Sequence, residues 1–367
     1  MAALTDELRA HGHQILLFAP GDAFELLAPK YERSSVRVRA ISGLRFAYDR
    51  QGRVRLIQSL FRNLPFLVSL PVRIRRLAGR LKAAAVDLVI TDFEPILPRA
   101  AKQANIPFVT VDHQSFLYQG DLKELPWGLR VRGALMAPFT RAHYPKGARA
   151  AAVSGFFQPR LLPSPVPTKT TGILLRSEVR DLKPTIENHL VAYFRRTAPD
   201  GLLQALATHT QQPVHIYGLG IQPDRDHLKF FPVSNQSFLA DLGSCRALIT
   251  TAGNQLIGEA LHLGKPVFGL PEKGNWEQQL NAWFLESSGQ GTTLRSGESV
   301  EDALQRFLQD IPRMTEGNRT TAGLQDGLSD ILQLVEEIVQ GLPPRSSSVT
   351  RRLRPAKSTP YAAPVRP

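Results

Sequence analysis

The chain reads as an α/β protein built from two Rossmann-like halves. Three observations predict this. Short apolar strands alternate with helical stretches along most of the length, which implies parallel sheets. A chain of 367 residues is long for one core and suggests two domains. The proline-rich stretch Leu161-Leu-Pro-Ser-Pro-Val-Pro-Thr168 separates two alternating runs and reads as a hinge. The expected division is an N-terminal domain over residues 1–160, a hinge over 161–171, a C-terminal domain over 172–340 and a basic tail over 341–367.

Taken in order, residues 2–11 read as a helix, 14–19 as a strand and 36–41 as another strand. Residues 53–82 are largely helical around their prolines. A strand at 86–91, a helix at 94–104 and a strand at 107–112 follow, and 148–153 is expected to be the last strand of the first half. The second half repeats the alternation, with strands at 189–194 and 214–217, helices at 201–208 and 235–242, and closing helices at 300–310 and 324–339.

The hydrophobic share of 43% and charged share of 21% are those of a soluble globular protein. A single cysteine, Cys245, excludes an internal disulfide and a cysteine-based metal cluster. No metal ligand set is singled out, and no cofactor is expected. The first eight residues include acids and no apolar run of signal-peptide length, and no stretch reaches membrane-spanning length. A cytoplasmic protein is expected, at most peripheral to the inner face of a membrane.

The net charge of +13 is unevenly placed. The tail carries Arg345, Arg351, Arg352, Arg354, Lys357 and Arg366 with no acid, and its proline and serine content predicts disorder. Residues 50–82 hold Arg53, Arg55, Arg62, Arg73, Arg75, Arg76, Arg80 and Lys82 among leucines and phenylalanines. Such a segment suits an anionic membrane surface or an acidic acceptor; the alternative is a pair of ordinary helices with arginine on the wet side. No nucleic-acid motif accompanies the charge, and nucleic acid is not expected as a partner.

The most informative stretch is residues 246–271. Residues 247–249 form a short strand; Thr250, Thr251, Ala252, Gly253 and Asn254 make a small-residue turn; and residues 255–263 follow with helical apolar spacing. Gly264 stops the helix and residues 267–270 start the next strand. A helix that opens after such a turn offers free backbone N–H groups to a phosphate. Glu259 lies about a turn and a half into it, where a carboxylate can accept from a ribose diol. Gln278 and Asn281, three apart at the start of the next helix, offer amides to sugar hydroxyls or serve as caps.

These residues resemble the nucleotide-sugar half of GT-B glycosyltransferases, especially the MurG-like and UDP-glycosyltransferase-like groups. The matching segments are Thr251-Ala-Gly-Asn254, Glu259 and Gln278-Gln-Leu-Asn-Ala282. The resemblance implies two Rossmann-like domains facing a cleft, with Glu259 on the ribose, the turn on the diphosphate and Gln278 on the donor sugar. Thr171-Gly-Ile-Leu-Leu-Arg-Ser-Glu-Val179 is similar to the family's interdomain segment, which makes Arg176 a diphosphate contact, although pairing with Glu178 is its alternative. Phe231-Pro-Val-Ser-Asn235 looks like the segment beside the base, which implicates Phe231 and Val233.

Two departures stand out. Family members begin with a strand and a glycine-rich loop ending in histidine on the acceptor side, whereas this chain starts at what looks like the following helix. The expectation is that the first parallel strand is absent, through a misplaced start or a truncation, and that transfer is slow in this form. After the strand at 189–194, Tyr193, Phe194, Arg195 and Arg196 stand where MurG-like proteins have a glycine-rich loop, so Arg195 or Arg196 supplies charge there.

An inverting transfer needs a base for the acceptor hydroxyl and positive groups for the leaving diphosphate. Asp92, at the carboxyl end of a strand, is the candidate base. Asp112-His113 at the end of the next strand is the other choice, and turn formation is the alternative role for each. The sequence therefore predicts a glycosyltransferase using a nucleotide sugar, a UDP-sugar, with an acceptor it does not identify and that is lipid-linked in one reading. A UDP-N-acetylhexosamine epimerase and a non-catalytic nucleotide-sugar binder are the alternatives.

Overall fold

The computed structural model describes residues 1–43, 56–195, 197–232, 235–323 and 325–342. The basic positions 50–55, Arg196, Val233 and the tail from residue 343 lie outside the described residues.

The first part of the chain runs α1 (Ala2–Ala10), β1 (Leu16–Pro20), α2 (Gly21–Tyr31), β2 (Arg37–Ile41), α3 (Leu56–Ala83), β3 (Val89–Thr91), α4 (Ile96–Ala104), β4 (Phe108–Asp112), α5 (Phe116–Gln119), α6 (Trp127–Arg141), β5 (Ala150–Ser154) and β6 (Thr168–Thr171). Strands β3-β4-β5-β6 form one parallel sheet in that order, and β1 and β2 pair in parallel as a separate two-stranded sheet. β6 extends the sheet one strand beyond β5, within the segment expected to be hinge. α3 runs unbroken through Pro65 and Pro71.

The second part runs α7 (Ser177–Arg180), β7 (Leu190–Tyr193), α8 (Leu202–His209), β8 (Val214–Tyr217), β9 (Leu228–Phe231), α9 (Asn235–Ser244), β10 (Ala247–Thr250), α10 (Asn254–His262), β11 (Val267–Gly269), α11 (Trp276–Ser287), β12 (Gly291–Thr293), α12 (Val300–Thr321) and α13 (Leu328–Gln340). Its parallel sheet has the order β12-β11-β10-β7-β8-β9. The chain winds outward from β7 through β8 to β9, then returns to the other side of β7 as β10. The switch point therefore lies between β7 and β10, where open α/β sheets bind ligands at the carboxyl edge.

Alternation along these strands sends Val191 and Leu248 to one face and Leu190, Ala192, Ala247 and Ile249 to the other, so a fully apolar core covers both faces. α13 crosses back to the four-stranded sheet. Its Leu328, Ile331 and Val335 bury against Leu4 and Leu8 of α1 and Val109 and Val111 of β4. Arg180 reaches Glu7 at 2.7 Å beside this contact. No described helix is long and apolar enough to cross a membrane.

Candidate functional site

The turn after β10 opens at the switch point. Thr250 is fixed by donating its hydroxyl to the Tyr193 carbonyl of β7 at 2.9 Å. Ala252 is buried, and Gly253 stands at the N-cap of α10 with no side chain capping the helix. By contrast Asn275 and Ser299 cap α11 and α12 through their side chains. The first turn of α10 thus keeps N–H donors available to an anion, with the positive end of the helix dipole behind them. Asn254 is spent differently. Its Oδ1 accepts from Phe156 N at 3.1 Å and its Nδ2 donates to the Ser154 carbonyl at 3.3 Å, which ties the turn to the end of β5.

The structure brings Glu259 and Arg176 together. Arg176 donates from Nε and Nη2 to the two carboxylate oxygens at 3.0 and 2.8 Å, a bidentate pair. The alternative partner, Glu178, does not take this place. Gln255, one turn earlier in α10, donates to Glu259 Oε1 and to the Leu174 carbonyl, both at 3.1 Å. Glu259 is only 2% exposed, so it is an interior carboxylate. α10 approaches the interdomain segment closely because residue 258 is glycine: a Cβ there would lie 2.6 Å from Ile173 Cδ1.

In α11, Gln278 and Asn281 part company. Gln278 is half-buried and accepts from Glu272 N at 2.8 Å, while its own N–H is capped by Asn275 at 3.2 Å. Asn281 is fully buried. Its Nδ2 donates to the Ala252 carbonyl at 3.0 Å, and its Oδ1 faces His113 Nε2 at 2.9 Å. Asn281, expected at the donor sugar, is turned inward here. Its amide is used up inside the protein, and it sets the distance between α11, the turn and β4.

Asp112 and His113 end β4. Asp112 is buried and accepts from Ser115 N, Ser115 Oγ and Tyr144 Oη at 2.7, 2.9 and 2.8 Å. Burial pushes its pKa up to about 7, against those donors, and the charge of Asp92 adds to the rise. His113 is also buried, with Nδ1 3.2 Å from the Ser154 carbonyl and Nε2 2.9 Å from Asn281 Oδ1, so it packs against acceptor oxygens on both sides. Asp92, by contrast, is open to solvent at the carboxyl end of β3. Desolvation by the surrounding protein raises its pKa, while the N-terminal ammonium and His113 pull it back. Of these three groups only Asp92 is open to solvent.

The remaining expectations fall elsewhere. Arg195 is exposed and pairs with Asp22 at 3.0 Å, which accounts for its charge without a phosphate. Phe231 ends β9 and stacks on Tyr217, with ring centroids 5.4 Å apart. Thr251 is half-buried in the turn. Two contributors escaped the sequence reading. Gln255 was visible through its i,i+4 relation to Glu259. Tyr144, which holds both Asp112 and Phe93 N, lies in a non-periodic segment and had no signal.

The halves touch across this region. Phe157 and Phe284 stack with centroids 3.8 Å apart, Gln114 reaches Glu277 at 3.4 Å, and Arg132 donates to Gln279. Solved structures resemble this arrangement at low identity. The glycotransferase of kitacinnamycin is 15% identical with a TM-score of 0.62, covering 93% of this chain and 94% of its own. LpCGTa in complex with UDP is 15% identical with a TM-score of 0.59, covering 92% and 94%. MurG of Acinetobacter baumannii is 14% identical with a TM-score of 0.54, covering 91% and 94%. These likenesses give the fold as GT-B. No curated protein sequence matches the chain. A family model does, over residues 3–312, and by that match the chain belongs to glycosyl transferase family 1.

Proposed function

We propose that the chain transfers a hexosyl or N-acetylhexosaminyl group from a UDP-sugar to a hydroxyl acceptor. The observation that carries this reading is the side-chain-uncapped N-terminus of α10 beside the Glu259–Arg176 pair, linked through Ala252, Asn281 and His113 to the surroundings of the open carboxylate Asp92. The diphosphate lies on the α10 N-terminus, and Arg176 turns from Glu259 toward it. Glu259 then takes the ribose diol. Its two oxygens offer about four acceptor sites, and three donors from Arg176 and Gln255 hold them in this structure, so Arg176 or Gln255 must move. Asp92 accepts the proton of the acceptor hydroxyl as its oxygen attacks the anomeric carbon. The bond to the diphosphate oxygen breaks, and the leaving charge falls on the helix end and Arg176.

The test is UDP release from UDP-hexoses and UDP-N-acetylhexosamines in the presence of a lipid extract. Asp92→Asn lowers turnover by about 10²–10⁴-fold, the usual contribution of a general base, and leaves UDP affinity intact. Unchanged turnover in Asp92→Asn places the base elsewhere.

The acceptor is lipid-linked in this reading and the protein works at an anionic membrane surface. Trp127, Val131, Leu135 and Phe139 form an exposed apolar stripe at four-residue spacing on α6, with Arg130, Arg132 and Arg141 on the same helix. Phe61, Leu64, Val68 and Val72 form a similar exposed stripe on α3, at three- and four-residue spacing, with Arg62, Arg73 and Arg76. Co-sedimentation with phosphatidylglycerol vesicles, reduced by Trp127→Ser with Leu135→Ser and absent with phosphatidylcholine, is the expected result. Equal recovery on both vesicles removes this part of the proposal.

A further inference from the structure

A second cluster lies at the other edge of the six-stranded sheet. His189 immediately precedes β7, His215 is the second residue of β8, and Asp241 is in the last turns of α9. One nitrogen from each imidazole and one carboxylate oxygen lie within 4.8 Å of one another. The rings stack with centroids 4.6 Å apart. His215 Nδ1 is 2.7 Å from Asp241 Oδ2, and His189 Nε2 is 3.3 Å from the Asp241 carbonyl. Nothing in the transfer chemistry uses these groups.

We propose that His189, His215 and Asp241 bind a divalent transition metal of the zinc class. The donor set is the argument. Two imidazoles with one carboxylate suit zinc and its neighbours, whereas magnesium and calcium take oxygen-rich sites. Tetrahedral zinc, with bonds of about 2.0–2.2 Å, puts its ligand atoms roughly 3.3–3.6 Å apart, so modest torsion of these side chains closes the set. The surroundings are those of a ligand shell. The Glu187 carboxylate lies 3.9 Å from His189 Nδ1, and ligation through Nε2 replaces that atom's contact with the Asp241 carbonyl. Tyr217 donates to Asp241 Oδ2 at 2.6 Å, and the Phe231 ring lies 5.0 Å from that of His215. His189 is buried while His215 and Asp241 are each about a fifth exposed, so the cluster is open on one side to an ion and to a water as fourth ligand.

Binding replaces the proton between His215 and Asp241 with the metal. It braces α9 against β7 and β8, and α9 leads directly into β10 and the donor turn. The site is a structural clamp under the donor domain, not part of the transfer step.

The experiment is a calorimetric titration of the metal-stripped full chain with zinc chloride, with thermal melting alongside. One equivalent binds and raises the melting midpoint. His215→Ala and Asp241→Asn each weaken binding by at least about ten-fold. The second histidine cluster, His11 and His13 on Glu336, serves as the internal comparison, and His13→Ala leaves zinc affinity unchanged. Cobalt(II) added to the wild-type chain gives an independent reading if the variants do not fold: strong visible bands of a tetrahedral nitrogen–oxygen site are expected. No saturable zinc binding, a weak octahedral cobalt spectrum, or a loss that follows His13→Ala overturns the proposal.

Discussion

The buried carboxyl of Asp112 shapes how this protein responds to pH. Asp112 titrates near about 7 in the folded chain, because burial outweighs the donors from Tyr144 and Ser115. An aspartate in the unfolded chain titrates near about 3.9. Between these values the native state keeps a proton that the unfolded state has released. Stability therefore falls as pH rises from about 4 to about 7 and then levels off. Buried His143 and half-buried His262, whose pKa values desolvation lowers, act in the opposite sense, so the Asp112 contribution is read by difference: Asp112→Asn should move the balance between thermal melts at pH 5 and pH 7.5 toward higher stability at pH 7.5. A variant that keeps the full wild-type slope would show that the trend comes from other groups. Residue identity alone could not show that Asn281 faces inward while Glu259 meets Arg176. A Gln-x-x-Asn spacing fixes a shared helix face, but the direction of that face is set by what packs on it, here the Ala252 carbonyl and His113.

Elements were readable where periodicity and stop signals agree. β10, α10 and β11 follow the pattern of residues 246–271 closely, since apolar strand residues, a Gly253 N-cap and a Gly264 stop all point the same way. α6, β6 and β12 were not foreseen. α6 carries two glycines and a proline and exposes its apolar stripe, so no polar face marks its outer side. β6 (TKTT) and β12 (GTT) are polar or small strands at the edges of their sheets, with no alternation to betray them. The fit of α10 on the interdomain segment makes an element-scale prediction. Gly258→Ala overpacks Ile173 and should destabilise the protein by about 1–3 kcal/mol. Gly317→Ala in α12 meets nothing within 4 Å and should stabilise by about 0.4–1 kcal/mol. Urea titrations of both check this, and equal effects would mean that α10 has room to shift.

At the scale of the molecule, two parallel sheets bring their carboxyl edges to one place. β3 and β4 deliver Asp92 and His113, β10 delivers the α10 turn, and Asn281 and Asn254 bridge them. The alternation of strands and helices was enough to anticipate this architecture. The closing contacts were not, because Phe157 on Phe284 and α13 on α1 join residues far apart in sequence with no shared pattern. The α10 turn, Arg176 and Glu259 are proposed to form the nucleotide site. Calorimetry of UDP binding to the full chain tests it most directly, using Glu259→Gln and, as comparison, Glu316→Gln on the exposed face of α12. The wild type is expected to bind UDP, Glu259→Gln to lose about 1–3 kcal/mol of affinity with a charged acceptor gone, and Glu316→Gln to bind as the wild type does. A wild-type chain that binds no UDP, or a Glu259→Gln chain that binds it equally well, would contradict the account.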